Sequence, residues 1–279
     1  MAETADRSPR LRLIVPAEAA NVALIRHALA GLAEGIGMER SAVADLKTVV
    51  TEACMNAVVH AYPGETGPIE VEAEPAADSI LIRVIDHGVG FQPRPDVESP
   101  GSSLRLGLSL VAALSSSFSI HGSFDGGTEV TMVLPLTNGH GVPRVREDHE
   151  VAPAGKAVSI SASDADLLPG VLSRAVSAFA LRRDLTVDQI ADAILLAETV
   201  SESSDAAFGD DHLNFSLING DGGIEMTVGP LGDGGSARLR EGLKLPAGSG
   251  SVETLADSVA VETRSDGEYV AFRIAPPGD

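Results

Sequence analysis

Four short stretches carry side chains that could do chemistry together. In DLKTVVTEACMNAVVHAY (45–62) a carboxylate, an amide and an imidazole, Glu52, Asn56 and His60, fall four residues apart. In a helix they share one face, while Leu46, Val49, Val50, Ala53 and Ala57 make the opposite, core-facing stripe. Such a polar ridge, taken alone, is more often a solvated face than a site. In ILIRVIDHGVGF (80–91) an apolar run ends on Asp86 and enters Gly88 and Gly90. Asp86 suits an exocyclic amine, and the glycines let backbone approach a flat ligand; standing alone, the segment also reads as a Gly-rich turn.

The third stretch, RLGLSL (105–110), contains Arg105, Gly107 and Leu108 and comes after the loop FQPRPDVESPGSS. A helix is expected to begin near Gly107, where free N–H groups and the positive end of the dipole favour phosphate, as at any loop-to-helix junction. Arg105 reads equally as a phosphate contact or a surface charge. The fourth, GGTEV (126–130), places the Thr128 hydroxyl at the start of a strand, as a site residue or as simple strand-edge chemistry.

The elements that must hold these groups follow from periodicity. LRLIVP (11–16) alternates as a strand, and helices are expected over about 21–32 and 41–61. Strands IEVEAEP and SILIRVID flank a hairpin turn at Ala76, Ala77 and Asp78, and FSIHGSF and GTEVTMVLPL form a final pair. The fold class expected is α+β, a two-layer α/β sandwich with helices over a mixed sheet.

The stretch TNGHGVPRVREDHEVAPAGK is rich in Gly, Pro and charge and reads as a linker, giving domains at 1–138 and 157–279 joined by 139–156. Beyond it the same order of elements begins again: AVSIS, then LLPGVLSRAVSAFAL, then a long helix from Thr186 to about Phe208 whose Thr186 and Gln189 fit a capping box. HLNFSLI, GIEMTV and EYVAFRIAP supply strands. Sliding 195–208 onto 49–62 superposes Glu198 on Glu52 and Glu202 on Asn56, so a tandem repeat is expected.

Composition limits the function classes. Hydrophobic residues at 44% exclude wholesale disorder, and a net charge of −20 opposes nucleic-acid backbones and anionic membranes while steering basic partners in. A single cysteine, Cys54, excludes an internal disulfide framework, and no run reaches the length of a membrane span. The start MAETADRSPR has no secretory apolar run, and the expected location is cytoplasmic.

Taken together, the four stretches resemble the N box, the two glycine boxes and the terminal Gly-Thr motif of the GHKL ATPase superfamily, over about Leu11 to Leu136. TEACMNAVVHAY resembles the N box of the anti-sigma serine kinases. The resemblance implies a Bergerat-type ATP-binding fold that uses ATP and Mg²⁺. Asn56 would hold the metal against the triphosphate, Glu52 would act as base, and Asp86 would read the adenine amine. Gly88, Gly90 and Thr128 would shape the pocket, with Arg105, Gly107 and Leu108 beside the phosphates. Arg105 and Leu106 depart from the family's Gly-x-Gly at the second glycine box, so the loop there is expected to close differently.

In the second half Glu202 stands for Asn56, Pro230 for Asp86 and Glu268 for Thr128, so a degenerate copy without a nucleotide site is expected. With about ten residues ahead of the first strand and no transducer domain behind, sensor kinases and topoisomerases are set aside. The expected function is a serine/threonine kinase of anti-sigma type that phosphorylates or sequesters a sigma factor or its antagonist. The alternative is a non-catalytic ATP-binding docking module. The degenerate half would serve as an intramolecular pseudo-dimer mate: from Val151 onward, 20 acidic residues against 9 basic ones leave −11, suited to a basic protein surface.

Overall fold

Alternation in LRLIVP puts Leu11, Leu13 and Val15 on one face, and in the computed structural model all three are buried in strand β1 (Leu11–Pro16). The structure describes residues 10–90, 103–123, 126–137, 157–203, 207–208, 213–220, 223–243 and 255–276. The linker expected at 139–156 and most of the loop at 91–103 lie outside them.

Helices α1 (Ala19–Gly35) and α2 (Arg40–His60) follow β1, then strands β2 (Pro68–Pro75) and β3 (Ser79–Asp86), helix α3 (Ser103–Leu114), and strands β4 (Ser117–Ser123) and β5 (Gly127–Pro135). Strand β6 (Val158–Ala162) opens the second half, ahead of α4 (Pro169–Ala180), α5 (Val187–Ser203), β7 (Leu213–Gly220), β8 (Gly223–Leu231), α6 (Gly235–Gly242), β9 (Ser258–Arg264) and β10 (Gly267–Ile274). The capping box forms at the start of α5: Thr186 N donates to Gln189 Oε1 at 3.0 Å and Gln189 N to Thr186 Oγ1 at 3.2 Å.

Two helix bounds differ from expectation, and two elements were not anticipated. Helix α3 starts at Ser103, so Gly107 lies inside it. Helix α5 is described only to Ser203. Helix α6 and strand β9 had no reading from sequence, because α6 is short, polar and flanked by glycine, while β9 is exposed along nearly its whole length and shows no buried alternation.

Among the described residues ten strands join one sheet, antiparallel throughout where a mixed sheet was expected, in the order β4-β5-β3-β2-β1-β6-β7-β8-β10-β9. At its middle β1 pairs with β6, Leu11 opposite Ala162 and Leu13 opposite Ile160. The helices neighbour one another in the sequence α3, α2, α1, α4, α5, α6. Read outward from the β1–β6 junction, strands and helices therefore follow the same order on either side. Across that junction, Gly31 of α1 meets Gly170 of α4 so closely that a Cβ on Gly31 would overlap the Gly170 carbonyl. Glu34 pairs with Arg174, and Ser163 Oγ accepts from Arg10 N at 2.8 Å.

The sheet also holds a nearly buried cation. Arg83, 2% exposed, donates from Nη1 to Glu72 at 2.6 Å and to Glu74 at 2.9 Å, with Arg10 on the same two carboxylates. Removing Arg83 would leave buried carboxylates undercompensated, so Arg83→Leu is expected to lower unfolding free energy by about 2–4 kcal/mol in urea titration. Gly31→Ala is expected to cost about 1–3 kcal/mol, since the Gly170 backbone cannot yield as a side chain can. Gly35→Ala, with open space around it, serves as the control and should be neutral or stabilising by at most about 1 kcal/mol.

Candidate functional site

The site is assembled where α2 ends. Tyr62 OH donates to the Pro68 carbonyl at 2.6 Å and accepts from His87 N at 2.8 Å, while its ring fills the space that a Cβ on Gly67 would need. Val89 N donates to the Ala61 carbonyl at 2.9 Å, and that carbonyl occupies the place of a Cβ on Gly88. Glycine is therefore obligatory at 88, because the chain leaving β3 is laid directly on the end of α2. Gly90, at φ 72°, takes the left-handed conformation that suits glycine. Tyr62 was not among the residues expected from the sequence; the signal available was an aromatic within the Gly- and Pro-rich stretch that follows the helix.

Asp86, the last residue of β3, is buried opposite Thr128 of β5. Its Oδ1 accepts from Gly88 N at 3.0 Å and Thr128 N at 3.2 Å, and the Thr128 side chain bonds it as well. Gly127, at φ 84°, has no room for a Cβ because the Asp86 carbonyl stands there. Burial pushes the Asp86 carboxyl up, against the bonds from Gly88 and Thr128 and the charge of His87. These bonds hold the carboxylate in one orientation with acceptor capacity left for a ligand donor.

Glu52 and Asn56 are half-buried on the α2 face that meets α3, whereas His60 is exposed. Gly107 of α3 lies against the Glu52 carboxylate, where a Cβ would overlap Oε2. Asn56 Nδ2 is out of solvent contact and has no hydrogen-bond partner among the described residues, an orphan that a polar ligand would satisfy. Its oxygen and nitrogen are interchangeable by rotation of the amide, so either a metal or a phosphate oxygen can be met. Leu108 is half-buried one residue on; the side chain of Arg105 lies outside the described residues. Cys54, on the core side of α2, is buried with its thiol pushed up to about 12 and takes no part. Among the described residues no three His, Cys, Asp or Glu side chains cluster as a metal cage.

Because burial raises the Asp86 value above that of the unfolded chain, the native state binds the extra proton. This group therefore favours folding below the usual carboxylate range, and that contribution is lost as pH rises through the native value. Asp86→Asn is expected to keep the bonds from Gly88 and Thr128 and to leave the melting temperature at pH 7 equal or higher. Gly88→Ala meets backbone and is expected to destabilise by about 1–3 kcal/mol, whereas Gly107→Ala meets only the end of Glu52 and should fold normally with that carboxylate displaced. Calorimetry on the three variants separates these outcomes.

Residues 15–134, from β1 through β5, match the family described as the histidine kinase-like ATPase domain. The serine-protein kinase RsbW of Bacillus cereus (strain Q1) is 36% identical over 86 residues, 31% of this chain and 54% of that protein. The protein of the same name from Bacillus thuringiensis subsp. konkukian (strain 97-27) has the same identity and coverage, and that of Bacillus cereus (strain B4264) is 35% identical over 86 residues. The chain spans about half the length of the curated relatives it matches. Among the described residues no helix is long and apolar enough to cross a membrane. The first half of the chain, which carries Asp86, the glycine turns and the helix bearing Glu52 and Asn56, is thus the part similar to a histidine kinase-like ATPase domain.

Proposed function

We propose that the first half binds ATP with Mg²⁺ and phosphorylates a serine or threonine hydroxyl of a regulatory protein partner, in the manner of an anti-sigma factor kinase. The observation that carries this reading is the Asp86 carboxylate, buried and held by Gly88 and Thr128 at the end of a strand that touches α2, whose Asn56 Nδ2 has no partner among the described residues. Asp86 takes the adenine amine, with Gly88 and Gly90 against the ring. Asn56 holds the metal and phosphate oxygens, and the bound cation neutralises charge on the triphosphate. Glu52 accepts the proton of the incoming hydroxyl as its oxygen bonds to the γ-phosphorus and the bond to the β-phosphate oxygen breaks, releasing ADP. The absence of a side chain at Gly107 leaves the Glu52 carboxylate the room it occupies.

On the same reading the second half is a degenerate copy that stands in for a dimer mate, and the chain works in the cytoplasm on a sigma factor or its antagonist. Support comes from the matching outward order of strands and helices, and from Glu268. Its Oε2 accepts from Ser236 N at 3.0 Å at the start of α6 and lies opposite Leu231, as Thr128 lies opposite Asp86. The bonds from Ser236 and Gly234 and the charge of Arg238 hold the Glu268 carboxyl below its usual range. A fixed negative charge thus sits where the positive end of a helix would otherwise meet phosphate.

Titration calorimetry should give one ATP per chain, dependent on Mg²⁺; two would refute the degenerate second half. Asp86→Asn should weaken ATP by about 1.5–3 kcal/mol, the loss expected of a hydrogen bond to a charged group, without loss of stability. Glu52→Ala should keep ATP affinity within a few-fold while phosphotransfer to partners recovered by pull-down falls by about 10² to 10⁴. If wild type transfers nothing, the chain is a nucleotide-dependent docking module. Light scattering on a chain ending near Gly139 should show it dimeric and the full chain monomeric.

A further inference from the structure

Tyr62 does two separable things at the end of α2. Its ring is packing: it stands where a Cβ on Gly67 would fall, and a phenylalanine ring would fill that space equally. Its hydroxyl reaches both strands of the β2–β3 hairpin, donating to the Pro68 carbonyl at 2.6 Å and accepting from His87 N at 2.8 Å. Ile69 and Asp86 stand opposite each other as the last residues in the hairpin register, so the hydroxyl bridges the strands immediately beyond the residue that carries the carboxylate. The β2 side of this bridge is fixed in turn from β1, since the Gly67 carbonyl accepts from Ala17 N at 2.8 Å.

The amides after Asp86 are held alternately. His87 N goes to Tyr62 Oη, Gly88 N to Asp86 Oδ1 at 3.0 Å, and Val89 N to the Ala61 carbonyl at 2.9 Å. The outer two bonds end on adjacent residues at the terminus of α2, Tyr62 and Ala61, and bracket the middle one. Because peptide units are planar, fixing the N–H groups of His87 and Val89 leaves the Gly88 N–H little freedom to turn away from the carboxylate. Gly88 has no side chain to resist such a turn, and the His87 residue is exposed, so the hold on this peptide comes from the α2 side. Burial raises the Tyr62 phenol above its ordinary value, as does the charge of Asp86, against the bond from His87. The hydroxyl therefore keeps its proton at neutral pH and serves as donor and acceptor at once.

We propose that Tyr62 is a positioning residue for nucleotide specificity: its hydroxyl holds the turn at 87–89 on the end of α2, and through the Gly88 N–H it keeps the Asp86 carboxylate aimed at the amine of adenine. This rests on the reading of Asp86 as the adenine acceptor and adds what sets its orientation. An acceptor free to rotate forfeits part of the bond it offers, because the ligand must then order it, whereas one already held gives the bond at lower entropic cost. The effect is confined to ligands that carry the amine. Inosine triphosphate has a carbonyl oxygen in its place and the same sugar and phosphates, so it separates orientation of Asp86 from general damage to the pocket.

The test is titration calorimetry of the full chain with ATP and with inosine triphosphate, each with Mg²⁺. Wild type should bind ATP at least about tenfold more tightly, the lower end of what a hydrogen bond to a charged group provides, and Asp86→Asn should lose most of that preference. Tyr62→Phe, which keeps the ring, should weaken ATP about three- to tenfold and leave inosine triphosphate within about two-fold. Equal loss of both nucleotides, or no loss of either, overturns the proposal while the nucleotide reading stands. Wild type that does not prefer ATP, or an Asp86→Asn chain that keeps the preference, overturns both. Should Tyr62→Phe not fold, Tyr62 itself reports, because the chain has two tyrosines and no tryptophan. The other, Tyr269 in β10, bonds Asp266 on the surface of the second half and can be replaced by phenylalanine. In Tyr269→Phe, Tyr62 emission should change on ATP with the midpoint found by calorimetry and change clearly less with saturating inosine triphosphate. No change with ATP, or the same change with both, overturns the proposal.

Discussion

Antiparallel pairing of β1 with β6 is the interaction on which the rest of the molecule depends. Without it the chain would present two five-stranded sheets, each with a long edge of unpaired N–H and C=O groups at its centre. With it the sheet runs continuously through ten strands, and its edges fall at β4 and β9. The pairing also fixes how near α1 and α4 come, and the sequence meets that demand with glycine on both helices at the closest point, Gly31 and Gly170. Glu34 with Arg174 and Asn21 with Arg182 then tie the two helices at either end of their contact.

The site in the first half depends on a second close approach, of backbone to backbone. The end of α2 is joined to the segment after β3 by the Val89 bond to the Ala61 carbonyl and by Tyr62, which bridges Pro68 and His87. Because those bonds involve main chain, they leave little freedom to Asp86, whose carboxylate is then oriented by Gly88 and Thr128. Burial makes that carboxylate costly, and stability is given up for a fixed acceptor, as is common where ligands bind. The same economy of space at Gly107 sets Glu52 against α3.

The second half uses the same order of elements around different chemistry. Where β3 ends on Asp86, β8 ends on Pro230 and Leu231, and Glu268 turns its carboxylate onto the start of α6. A negative charge is thus set against a helix start in this half. On the proposed reading, the first half keeps the nucleotide and the second keeps surfaces for protein.

The sequence by itself determined most elements of the fold and supplied the candidate site residues. Strand alternation in 11–16 and 79–86 and helical spacing in 40–60 are local signals, written by which side chains must leave water. Asp86 with its two glycines, and Glu52 with Asn56 four residues on, were legible for the same reason, since each lies within one element. The start of α3 was misplaced because Gly107 looked like a helix boundary, whereas its small size serves packing against Glu52, a contact between distant segments. Helix α6 and strand β9 were missed because neither buries a regular face. What only the tertiary structure decided is what the chain brings together over long separations. It joined two half-sheets through β1 and β6, clamped the end of α2 by Tyr62, turned Glu268 onto a helix start and brought Arg182 to Asn21. Periodicity reports whether a side chain is buried, not which distant backbone buries it, and that choice is made only when the layers close.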